Sequence, residues 1–367
     1  MFFRNAISEE EEKRFFNLER NKATILCVVE NELHHGILCT SSTVELFHPA
    51  RNRAFKITVS QNGARSIKVE TAQPVRASVL WDVFQDLERF LMLFDGHFLK
   101  IHSATFYEGE HQTEWSDELF DAFIKRRPSL YYSADFVSGQ YGFSLCPLPV
   151  ISTEMFERFI DIELDLGLIH RMALYNMADT GITPDCKCAQ LIEVYEPLFD
   201  LMKKKKLSVK LQKPFIKKSH SVLKRNLIRT IETFGQDIFP EELKHGIDTI
   251  TQIFVNSRNR IAHIKGKQKR IYLDGQESVL YAAKLSMLYR RLLLEMLKVD
   301  YNSYKKSLVN ASNIWYRWWD IYDHFIEKRV SQEKEWERER EKNRKAAKWN
   351  AIRNKLRKLF SRKKKSK

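Results

Sequence analysis

The sequence predicts an α+β protein: a β-containing N-terminal domain over 1–148, an all-helical domain over 149–300, one further helix over 301–330 and a basic helical tail over 331–367. Three observations carry this. Short β-branched and aromatic runs crowd the first part of the chain, apolar residues recur at three and four from about Pro149 onward, and the last segment is polar and then purely basic. The division near 148–152, "PLPVI", marks the change of period.

Strands are expected at 22–30 (KATILCVVE), 36–40, 43–48, 54–60 and 65–71. Asn62-Gly63 between the last two is the favoured two-residue hairpin turn, because both central positions of that turn need a positive φ. A helix is expected at 77–93, where Val79, Leu80, Val83, Leu87, Phe90 and Leu91 recur at helical spacing, with further strands near 98–107 and 129–135. Helices then follow at 153–178, 187–205, 219–238, 240–257, 275–298 and 303–329, separated by proline, glycine and lysine-rich loops.

At 367 residues and 43% hydrophobic content, the chain can build two ordinary cores or one large one. The start, "MFFRNAISEEEEKRFF", has an acidic cluster instead of the apolar centre of a signal peptide, and no stretch is long and apolar enough to span a bilayer. A cytosolic (cytoplasmic) location is expected. Cys27, Cys39, Cys146, Cys186 and Cys188 are odd in number and scattered, so neither a disulfide framework nor a zinc site is indicated. Neither cofactor nor metal is expected.

The net charge of +15 is unevenly placed. Thirteen Lys or Arg and no acid lie in 342–367, and eight Lys and no acid in 203–218; removing thirteen and eight from +15 leaves −6 for the remainder. Two local segments therefore carry the attraction for phosphate-bearing partners, with RNA the natural candidate. Lys203, Lys204, Lys205, Lys206, Lys217 and Lys218 are the candidate RNA-binding residues, against the plain reading of a solvated loop. Trp349, Ile352, Leu356, Leu359 and Phe360 give the tail a narrow apolar stripe. It reads as a solvated helix, an arm gripping RNA phosphates, or one lying on an anionic membrane.

The stretch "VNSRNRIAHIKGK", 255–267, carries the candidate chemistry. With 27 arginines and eleven histidines, an arginine followed by a histidine after four to six intervening residues arises by chance, and the chain holds two, Arg258 to His263 and Arg317 to His324. Only Arg258-Asn259-x3-His263 also places exactly three residues between a polar residue next to the arginine and the histidine. "RNRAFK" at Arg51 repeats the opening but puts Lys56 where histidine should stand. Metal-free RNA cleavage needs a base for the 2′-hydroxyl, a donor for the leaving oxygen and a cation for the phosphorane. Histidine can be either base or acid near neutral pH, and arginine offers a planar fork to phosphate. Five residues on a straight helix turn about 140°, so the pair needs the helix to end near His263; Asn259 could hold such a bend through its amide. The plain alternative is a basic turn at a helix C-terminus, where cations suit the helix dipole.

At these residues the chain resembles the HEPN superfamily of ribonucleases, whose signature is an arginine, a polar residue, a short spacer and a histidine. The long apolar helix "ESVLYAAKLSMLYRRLLLEMLKVD" soon after fits that context. The resemblance covers about 150–299, making 149–300 an expected HEPN-like bundle, and is closest to ApeA-like abortive-infection proteins; for 1–148 it rests on layout. It implies a metal-independent endoribonuclease acting in anti-phage defence as a homodimer, with RNA (tRNA included) as substrate and a phage-encoded trigger. Arg258, Asn259 and His263 would be its catalytic set. The extension beyond Asp300 departs from the family's pattern. The alternative is a non-enzymatic sensor or adaptor whose basic tail binds nucleic acid or membrane. DNA binding ranks last, for want of a helix-turn-helix or zinc module.

Other features have plain readings. Trp315, Trp318, Trp319, Tyr322 and Phe325 have the spacing of a buried helix face, Asp161, Glu163 and Asp165 spread round a helix, and His34-His35 sits in an exposed turn.

Overall fold

The computed structural model describes residues 9–29, 42–48, 51–60, 66–95, 101–112, 152–177, 182–205, 220–263, 270–273, 275–319 and 323–364. The expected strands at 36–40 and 129–135, the Asn62-Gly63 turn, His34-His35 and the 148–151 boundary lie outside them, as do the side chains of Trp315, Trp318, Trp319, Tyr322 and Phe325.

The chain is α+β. In order it forms α1 (Glu9–Asn17), β1 (Glu19–Arg20), β2 (Ala23–Val29), β3 (Ser42–His48), β4 (Arg53–Ser60), β5 (Ser66–Glu70), β6 (Val75–Arg76), α2 (Ala77–Asp95), β7 (Ile101–Glu108) and β8 (His111–Gln112). There follow α3 (Thr153–Leu166), α4 (Leu168–Met177), α5 (Pro184–Lys204), α6 (Val222–Phe234), α7 (Pro240–His245), α8 (Ile247–Ala262), α9 (Gln276–Met296), α10 (Tyr301–Trp319) and α11 (Asp323–Lys364).

The main sheet is antiparallel with strand order β3-β4-β5-β2-β7-β8. Its register aligns the apolar alternates: Ile25 stands between Val69 and Phe106, and Cys27 between Ile67 and Ala104. Phe55, Ile57 and Val59 of β4 extend the same buried face. The opposite face is charged, with Lys56 and Lys68 both on Glu70 at 3.6 and 2.5 Å. One face must therefore be covered. α1 and α2 do this, α1 through Phe15 and Phe16, with Phe15 edge-on to Phe106 at 5.5 Å. α1 was not foreseen; "EEEEKRFFN" shows only two large apolar residues, and burial against the sheet gives them their partners.

α2 is buried on more than one side: Leu80, Val83, Phe84, Leu87, Phe90, Leu91, Met92, Leu93 and Phe94 all lie at or below 1% exposure. A helix apolar all round must be covered all round. Beyond the sheet it meets α3, where Phe90 lies 5.2 Å from both Phe156 and Phe159, and α9. Arg290 of α9, fully buried, donates to the Leu93 and Phe94 carbonyls at 2.8 and 2.7 Å, satisfying acceptors that the end of α2 leaves open. Buried residues of the sheet layer and of the helices form one continuous core.

A polar chain crosses the same seam. His48 of β3 bonds Asp86 at 2.9 Å, Asp86 bonds Arg89, and Arg89 reaches Glu163 of α3. Burial pushes the Glu163 carboxyl upward, against the pull of Arg89. Deeper still, His170 Nδ1 lies 3.2 Å from the Tyr289 hydroxyl; burial, then the nearby Arg89 and Arg171, push its pKa down to about 3.

Two expected helices are each divided. The run 153–178 breaks at Gly167, φ 50°, into α3 and α4, and the run 240–257 breaks at Gly246, φ 118°, into α7 and α8. Both glycines occupy backbone conformations that a side chain resists. The expected helix 303–329 is seen as α10 and the start of α11, with 320–322 undescribed. Asp161, Glu163 and Asp165 do diverge: Asp161 is exposed, Glu163 buried, and Asp165 paired with Lys205 at 3.0 Å.

Arg290→Leu leaves two buried carbonyls unpaired and should cost about 3 kcal/mol of unfolding free energy in urea titration; a loss under about 1 kcal/mol would show that Arg290 does not hold α2. His170 is neutral when folded, and the unfolded chain takes up its proton below about 6.5. Its contribution is thus complete above that pH and is lost as pH falls toward 3. Stability should drop by on the order of 4 kcal/mol across that window, and His170→Gln should flatten the slope; equal slopes would refute the assignment.

Candidate functional site

The motif sits on the last turn of α8. Three polar residues of α8 ahead of it prepare the ground: Gln252 donates to Asn256 Oδ1 at 3.1 Å and accepts from Lys224 Nζ at 3.3 Å, while Asn256 Nδ2 donates to the Ile271 carbonyl at 2.9 Å and to Glu333 Oε1 at 3.3 Å. Ser257 Oγ donates to the Ile253 carbonyl and accepts from the Leu273 N–H, both at 2.8 Å. The segment 270–273 is thereby pinned alongside α8, and the first turns of α11 are tied to it through Glu333. Burial raises the Glu333 carboxyl's pKa, with Asn256 pulling the other way.

Arg258 points across to α5. Its Nε donates to Glu193 Oε2, its Nη2 to Glu193 Oε1 at 2.7 Å and Glu196 Oε2 at 3.1 Å, and its Nη1 to Asn259 Oδ1 at 2.9 Å. The Glu193 contact is the two-point fork that guanidinium makes with carboxylate or phosphate. These bonds to Glu193 lead the causes that raise the Arg258 pKa, so the cation is permanent. The side chain is 21% exposed, against 38% for Glu193 and 40% for Glu196, so the ion pair lies at the surface, partly solvated. Pro197 follows directly; it lacks the N–H that would bond the Glu193 carbonyl, and Asn226 of α6 donates to the neighbouring Tyr195 and Glu196 carbonyls, both at 3.0 Å.

α8 runs through Ala262, and His263 caps it at φ −127°, ψ 55°, its N–H on the Asn259 carbonyl at 3.1 Å. The imidazole is exposed, and among the described residues it makes no hydrogen bond or ion pair. Asn259 behaves differently from the expectation: its backbone closes the last turn, whereas its side-chain oxygen holds Arg258. No bond joins Arg258 to His263 among the described residues; the two share a helix end. Arg260, beside them, stacks on Tyr272 at 4.0 Å.

Of the candidate lysines, Lys203 and Lys204 end α5, exposed, and Lys205 follows on Asp165; Lys206, Lys217 and Lys218 lie outside the described residues. Lys203 is seven residues past Glu196, so it shares that side of α5 about 10 Å further along. Exposed Asp200 stands between them. Glu193 and Glu196 were not singled out by sequence; a pair one turn apart on a helix looks like any solvated face, and its partner is 62 to 65 residues away. Among the described residues no three His, Cys, Asp or Glu side chains gather as a metal site, and no helix is long and apolar enough to cross a membrane.

No protein-family model matches the chain, and neither a curated protein nor a solved structure does.

Asn256→Ala removes the bonds to the Ile271 carbonyl and to Glu333 and leaves the buried Glu333 carboxyl one donor short. It should lower stability by about 2 kcal/mol and speed tryptic cleavage at the base of α11; unchanged proteolysis would show that Asn256 does not hold that helix.

Proposed function

We propose that the protein is a metal-independent endoribonuclease of the HEPN type, acting in anti-phage defence as a homodimer under a phage-encoded trigger. The observation that carries this reading is Arg258-Asn259-x3-His263 at the exposed end of α8, with an exposed imidazole and a guanidinium already arranged as a fork. His263 takes the proton of an RNA 2′-hydroxyl, that oxygen attacks phosphorus, and the 5′-oxygen leaves with a proton while Arg258 neutralises the phosphorane. Asn259 orients Arg258. The phosphate takes the place of Glu193 on the fork, offering two oxygens where the carboxylate offered two. A dimer supplies the second histidine that a base-and-acid pair needs. Lys203 and Lys204, exposed at the end of α5, offer cations to the RNA backbone.

Purified protein incubated with total RNA in EDTA should cut it, and His263→Ala or Arg258→Ala should slow cutting by roughly a hundredfold or more with the circular dichroism spectrum unchanged. An active His263→Ala protein would sink the assignment. One observation favours a second reading, a non-enzymatic sensor or adaptor: the Arg258 guanidinium is already paired by two carboxylates, as in a structural ion pair. In that case deleting 331–367 abolishes protection against phage and Arg258→Ala does not.

A further inference from the structure

The first turns of α11 belong to the body: Ile326, Val330 and Glu333 are buried, and Arg329 donates to Glu277 at 2.8 and 3.1 Å. From Lys334 the helix leaves it. Every residue from 337 to 355 is exposed, so about 28 Å of helix stands free there, and the helical backbone continues to Lys364. An isolated helix needs support from its own side chains; Glu341 pairs with Lys345 at 3.1 Å and Arg340 lies over Trp336 at 5.3 Å.

The free part changes character along its length. Its beginning, 334–341, mixes acids and bases, whereas from Lys342 there is no acid at all. Within this basic stretch Trp349, Ile352, Leu356, Leu359 and Phe360 fall in an arc of about 100° on a helical projection. Trp349 is 68% and Ile352 51% exposed. Arg353, Lys355, Arg357 and Lys358 lie around the rest of the helix, and Lys345 and Lys363 bracket the stripe at its two ends.

We propose that residues 342–364 form a docking surface for an anionic lipid bilayer, on which the helix lies along the interface. Charge selects the partner: eleven cations and no acid in 342–364 match a surface of anionic headgroups and repel a second copy of the same arm. The apolar stripe chooses between phosphate surfaces. An RNA backbone would use the cations and leave five large apolar side chains in water, while a bilayer buries them and lets the flanking lysines and arginines reach the headgroups. The length of the stripe, twelve residues from Trp349 to Phe360, is too short to span and suits an in-plane helix. The inference stands whether or not Arg258 and His263 cleave RNA.

The test is co-sedimentation of the full chain with large unilamellar vesicles, either phosphatidylcholine alone or a two-to-one mixture of phosphatidylcholine and phosphatidylglycerol, with tRNA binding measured in parallel. The chain should pellet with the mixed vesicles and stay in solution with phosphatidylcholine. Trp349→Ala with Ile352→Ala should weaken vesicle binding by roughly tenfold or more while leaving tRNA affinity and the melting temperature of the body unchanged, since both positions are exposed. Failure to pellet with the mixed vesicles overturns the proposal. So does a double variant that pellets like wild type, or one that loses tRNA affinity in step with vesicle binding, which would make the arm an RNA-binding one.

Discussion

Everything in this architecture depends on covering α2. Its carboxyl-terminal half has no side that could face water, so it requires a sheet against one flank and helices against the other. The sheet, with its single apolar face, is unstable without that helix, and α3 and α9 are brought to the sheet by it. Arg290 settles where α2 ends, because its guanidinium is the donor for carbonyls that would otherwise be buried unpaired. The polar chain from His48 to Glu163 runs along the same seam, so both apolar and charged contacts converge on one helix.

Period and burial explain what the sequence made legible. The 77–93 helix and the strands at 43–48 and 54–60 lie within a few residues of α2, β3 and β4, because one apolar side repeats at the period of the element. The breaks at Gly167 and Gly246 were hidden, since the apolar rhythm passes through both and only the positive φ reveals the turn. α1 was invisible for the opposite reason: two phenylalanines are too few to show a period, and only tertiary burial makes them a face. At the site, the end of α8 near His263 could be read from the glycine and polar residues that follow. The grip of Glu193 and Glu196 on Arg258 could not, because local sequence carries no record of which distant cation a solvated carboxylate will meet.

That grip sets the electrostatic state of the motif. Two carboxylates on one guanidinium leave the spot with a net negative charge, softened by Lys203 further along α5. An incoming anion must displace a carboxylate to reach the arginine. Because all the groups are partly solvated, the exchange carries little of the desolvation cost that a buried pair would impose.

α11 also has a mechanical meaning. It is a stiff rod clamped over 326–333, about 12 Å, with more than twice that length standing free over 337–355. A sideways push near Trp349 or beyond turns the rod about its clamp, so the force arrives there multiplied and the movement reduced. Glu333 is the last buried residue of the clamp, and its bond to Asn256 puts that reaction force on α8, two residues before Arg258. Whatever holds the far end of this lever acts on the helix that carries the motif.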